Sequence, residues 1–85
     1  MDRRTARWQT RYEHQIPWWR ILDRKGRTCW VTDVYPVRIV YVRHGGRTSY
    51  DIVERARTVV HDCETLRRAF RVAANHIRVS LGSLA

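Results

Sequence analysis

The sequence predicts an α+β domain: a small antiparallel sheet of three to five strands, or a partial barrel, with an amphipathic helix at its C-terminus. Three observations lead there. Short runs rich in tryptophan, tyrosine, valine and isoleucine alternate with polar turns over residues 16–53. A Gly45-Gly46 pair stands between two of these runs, the arrangement of a two-residue hairpin whose turn needs positive φ. Beyond residue 62 the apolar period lengthens, and Leu66, Phe70, Ala73 and Ile77 recur at helical spacing.

The first fifteen residues, "MDRRTARWQTRYEHQ", read as a basic arm or a short helix. Asp2 is a candidate N-cap, Arg4, Trp8 and Tyr12 fall on one stripe, and Arg3, Arg7 and Arg11 fall on the next. Residues 16–78 form the single domain, and 79–85 a frayed tail. "IPWWRIL" (16–22) carries strand formers and an early proline, which suits an edge strand. An edge strand left uncovered there offers a route to a homodimer. "DRKGR" is a polar turn, and "TCWVTDVY" (28–35) is the returning strand, broken at Tyr35-Pro36.

Folding Val37–Ile52 about Gly45-Gly46 pairs His44 with Arg47, Arg43 with Thr48, Tyr41 with Tyr50 and Ile39 with Ile52. One face then carries Ile39, Tyr41, Tyr50 and Ile52 as a core cluster. The other carries Val40, Val42 and Val53, with Arg38 diagonal to Asp51 at ion-pairing reach. A strand apolar on both faces belongs at the centre of the sheet, so only the tip (Arg43, His44, Arg47) is free for a partner. Residues 54–61 extend the last strand, form a fifth, or open a helix with Asp51 and Glu54 as a capping pair. From Asp62, as N-cap, a helix runs through "CETLRRAFRVAANHI", with Glu64 in its first turn and Arg78 near its last. Arg67, Arg71 and Arg78 share one exposed stripe.

Eighty-five residues bury only about 60–65% of their unfolded surface, so four Trp, four Tyr and one Phe must supply much of the core. The net charge is +9, and Lys25 is the single lysine among 17 basic residues. Arginine offers a planar fork that matches phosphate and carboxylate and stacks on rings. No run of 18 apolar residues spans a bilayer, and the charged N-terminus lacks the apolar stretch of a signal peptide, which points to the cytoplasm. Cys29 and Cys63 stand 34 apart without a CxxC, so they read as buried, reduced thiols; their spacing with the histidines fits no zinc finger. No metal, no other cofactor and no catalytic residue is expected.

The turn Gly26-Arg27, the strand Trp30–Val34, the strand Val40–Val42 with Tyr41, and the Gly45-Gly46 hairpin together resemble the small SH3-like barrel proteins of bacteriophages and other mobile elements. The resemblance covers the middle third of the chain and rests on turn and core residues, so it implies a fold, not an activity. It implies an SH3-like partial barrel, and proteins of this type are commonly nucleic-acid binders or inhibitors of a host machine.

Three functions follow from the residues. The first is binding of DNA or RNA, since a strongly basic surface attracts phosphates and "RTARWQTRY" and "PWWR" set rings beside guanidinium groups. Strand alternation sends one of Trp18 and Trp19 inward and leaves the other as a stacking platform or protein hot spot. The expected binding set is Arg3, Arg4, Arg7, Trp8, Arg11, Trp18 or Trp19, Arg43, His44, Arg47, Arg67, Arg71 and Arg78. The second is an inhibitor of the anti-CRISPR kind that docks on an acidic host protein. The third is a small toxin-type ribonuclease using some of His14, His44, His61 and His76, although no motif places any two of them together.

Overall fold

A computed structural model describes residues 10–84, with side chains as far as Gly82. Six strands run in sequence order: β1 (Arg11–Glu13), β2 (Ile16–Leu22), β3 (Thr28–Val31), β4 (Val37–His44), β5 (Arg47–Glu54) and β6 (Arg57–Cys63). Each pairs antiparallel with the next, giving the sheet order β1-β2-β3-β4-β5-β6. One helix, α1 (Leu66–Leu84), follows. The described residues thus form a small α+β domain with an open six-stranded sheet and one C-terminal helix. The expected barrel is not formed, because β1 and β6 remain the two edges and do not pair with each other. The run 16–22 is not an edge strand: β1 pairs with its first half and β3 with its second.

Turn chemistry sets this meander. Gly45 and Gly46 adopt φ of 58° and 81°, the two positive values a type I′ turn requires, and the β4–β5 register is the one the sequence predicts, His44 opposite Arg47 through Ile39 opposite Ile52. In the β2–β3 turn Asp23 Oδ1 accepts the backbone N–H of Lys25 and Arg27, while Gly26 takes φ 78°. These hydrogen bonds, led by the Arg27 backbone N–H, hold the Asp23 carboxyl below its ordinary range. Two turns are built without glycine. His14 and Gln15 both take positive φ between β1 and β2, and Arg55 does so between β5 and β6. The ambiguous stretch 54–61 therefore holds a turn and most of a sixth strand.

The helix begins later than the sequence suggests. Thr65 is its N-cap, with Oγ1 accepting the Arg68 N–H at 3.1 Å. Asp62 lies at φ 61° and gives its N–H to Asp51 Oδ1. Glu64 precedes the cap, so no acidic residue occupies the first turn, and no basic one occupies the last. The helix also runs on to Leu84, through most of the expected tail.

Its buried stripe, Ala69, Phe70, Ala73, Ala74 and Ile77, packs on the sheet face that carries Trp18, Trp30, Ile39 and Ile52. Small alanines let the helix approach closely, and Phe70 fills the centre, 5.3 Å from the Trp18 ring and 6.4 Å from Trp30. At one end Glu54 ties the layers together: Oε1 lies 2.7 Å from His76 Nε2 and Oε2 accepts the Tyr35 hydroxyl at 3.2 Å.

Candidate nucleic-acid interface

Antiparallel register sorts every strand residue onto one of two faces. Trp18, Trp30, Ile39, Tyr41, Tyr50 and Ile52 share the helix-bearing face, and Arg11, Arg20 and Arg43 lie in the same rows. The reverse face carries Tyr12, Trp19, Ile21, Cys29, Val31, Arg38, Val40, Val42, Asp51 and Val53. Cys29 and Cys63 thus stand on opposite faces, because Cys29 pairs with Val40 while Cys63 belongs to the core under the helix. They cannot share a metal ion. Burial pushes both thiols above their ordinary range, which keeps them protonated. Among the described residues no group of three His, Cys, Asp or Glu is placed to hold a metal.

The expected binding residues divide sharply. Arg3, Arg4, Arg7 and Trp8 lie outside the described residues. Trp18 is fully buried against Phe70 and cannot stack on a base, which corrects its place in the binding set. Trp19 is its half-exposed counterpart on the reverse face. Arg11 is committed as well: its guanidinium bonds Glu13 Oε2 at 2.6 Å and sits 5.0 Å over the Phe70 ring. Arg78 gives one Nη2 bond, 2.9 Å, to the backbone carbonyl of His14. Arg38 does not pair with Asp51: its Nε is buried without a partner, and Asp51 instead accepts from Asp62 and lies 4.0 Å from His61.

What remains forms two clusters. Arg43, His44 and Arg47 are exposed at the β4–β5 tip, as read from the sequence. Arg47 also borders a groove of about 390 Å³ with His61 and Arg68, but Asp62 and Glu64 line the same groove and offset its charge. The helix is the cleaner site. Between Leu66 and Leu84 it contains four arginines (Arg67, Arg68, Arg71, Arg78) and no acid. Arg67, Arg71 and Arg78 lie within about 40° of one another around its axis and span ~16 Å along it. Arg67 and Arg71 are exposed and take part in no ion pair among the described residues. The signal for the stripe was legible in the spacing; that the stripe flanks the helix on the β1 side, shown by the Arg78–His14 bond, was not.

The four histidines are spread along the molecule. His14 and His76 lie at the end where α1 finishes, while His44 and His61 lie toward the end where it starts. His76 is held by Glu54. No family model, no curated protein and no solved structure matches the chain.

Proposed function

We propose that the protein binds nucleic acid by its phosphate backbone, with the helix flank as the principal contact. One observation carries this reading: a helix holding four arginines and no carboxylate, with Arg67, Arg71 and Arg78 aligned over ~16 Å. At about 3.4 Å of duplex axis per phosphate of one strand, that length corresponds to roughly five base-pair steps. A net charge of +9 adds long-range attraction, and the exposed Arg43 and Arg47 at the hairpin tip extend the basic surface beyond the helix. A basic surface fits equally an inhibitor that meets an acidic host protein, and the titration below separates the two.

The test is fluorescence anisotropy with labelled duplex DNA, single-stranded DNA and RNA across a salt series. Micromolar or tighter binding that persists at physiological salt is expected. In the double variant Arg67→Ala/Arg71→Ala, log Kd against log salt should lose about 0.7–0.9 in slope for each phosphate contact removed. Weak binding to all three forms that vanishes with salt would sink the proposal and favour an acidic protein partner.

A further inference from the structure

The sheet has a second surface that the basic helix leaves unexplained. On the reverse face the register sets Tyr12, Trp19, Ile21, Val31, Val42 and Val53 side by side around Cys29 and Val40. No element of the described residues lies across it. Tyr12 is 73% exposed, and the other five are half-buried. An antiparallel sheet often turns one face to water, but such a face is then polar at alternate positions. Here the alternation fails in the middle strands, which are apolar on both sides. A sheet apolar on both faces is the pattern of one covered on both.

Charge decides what covers it. On β4 and β5, away from the hairpin tip, the face carries one cation and one anion, Arg38 and Asp51, with His61 4.0 Å from the Asp51 carboxylate and Asp62 beside Val42 and Ser49. They occupy diagonal positions on neighbouring strands yet do not pair with each other, and Arg38 makes no ion pair among the described residues. A phosphate backbone finds one cation there and meets a carboxylate beside it. A copy of the same face, turned by a two-fold axis, sets its own Asp51 toward Arg38 and its own Arg38 toward Asp51.

We infer that the protein forms a homodimer through the helix-free faces of its two sheets, with Tyr12 and Trp19 at the contact and Arg38 paired to Asp51 of the second copy. Six strands about 4.8 Å apart and about six residues long at 3.3 Å each give a face of about 29 by 20 Å, or ~600 Å² before side-chain relief is counted. Standard interfaces bury roughly 600–1,000 Å² per partner, so the face reaches the lower end of that range. The product is a four-layer stack, helix–sheet–sheet–helix, in which both arginine stripes point outward. The inference stands apart from the principal nucleic-acid contact proposed above, since the helix lies on the other face of the sheet.

Sedimentation of the full chain over a concentration series tests it. The wild type should move from the 10.2 kDa mass of one chain to twice that value at micromolar concentration. Tyr12→Asp and Arg38→Glu should each raise the dimer Kd at least about tenfold. Tyr12→Asp keeps the test valid if Arg38→Glu disturbs folding, because an exposed edge residue tolerates substitution, and circular dichroism checks both. A wild type that stays monomeric at high concentration overturns the inference, including the case in which a different protein covers the face. So does a dimer whose Kd neither substitution moves, since it would then form elsewhere, at the β6 edge for example.

Discussion

Phe70 and Trp18 are the two largest fully buried side chains, and Phe70 is the one the helix contributes. It is 1% exposed and touches both core tryptophans and the Arg11 guanidinium. Phe70→Ala should therefore destabilise by roughly 3–5 kcal/mol in denaturant unfolding. A domain with a typical stability of about 5–15 kcal/mol would come close to its threshold. Tyr41, which the hairpin pattern marks as equally central, is only half-buried beside Tyr50 at 5.5 Å, so its truncation should cost less. The sequence could rank neither, because it shows which face a residue shares but not how far the helix reaches across that face. Glu54 is the other residue of consequence. Its hydrogen bond with His76, followed by that of the Tyr35 hydroxyl and the charges of His76 and Arg55, holds its carboxyl below the ordinary value against the effect of burial. A carboxyl depressed on folding contributes stability that is complete above its unfolded pKa of about 4.3 and is lost as pH falls through the lower folded value. The thermal midpoint of the wild type should drop across that acid window, and Glu54→Gln should flatten this part of the profile. A profile of unchanged steepness would show that other carboxylates govern it.

Among the elements, the hairpins differ in how their turns were made. The Gly45-Gly46 turn was legible because glycine announces positive φ, and its eight-pair register came out as expected. The β1–β2 turn was not legible, since His14 and Gln15 adopt φ of 55° and 67° without being turn formers. Tertiary contacts hold them there, among them the Arg78 bond to the His14 carbonyl. Left-handed geometry costs an ordinary residue about 1 kcal/mol or more. Replacing His14-Gln15 with Asn-Gly should relieve part of that cost and raise the thermal midpoint by a few degrees. A lower midpoint would mean that the two native side chains do more than span the turn. The helix start was misread for a related reason. Asp62 and Thr65 are both acceptable caps by type, and only the demand of Asp51 for the Asp62 N–H sets them apart.

For the whole molecule, the apolar pattern foretold an α+β domain with a C-terminal helix, and the structure has that form. The barrel did not form, because closure depends on whether β1 meets β6, and no residue type encodes that long-range choice. Nor did the sequence separate the two sides of the sheet into a basic flank and an apolar reverse face. That division appears only when Arg67 and Arg71 are placed over one face and Trp19 on the other. Among the described residues no helix is long and apolar enough to cross a membrane.

The strand order has one further outcome, which concerns how the chain is made. Every strand pairs with its neighbour in sequence, so each hairpin closes a short loop and can form as soon as it leaves the ribosome. The helix that covers Trp18, Trp30, Ile39 and Ile52 is the last segment to be synthesised. Until then the growing chain carries a nearly finished sheet with its core face bare, the kind of surface that chaperones hold and that aggregates when left alone. Chains ending at residue 65 should accordingly appear in the insoluble fraction, and supplying the helix as a separate peptide during synthesis should return part of them to solution.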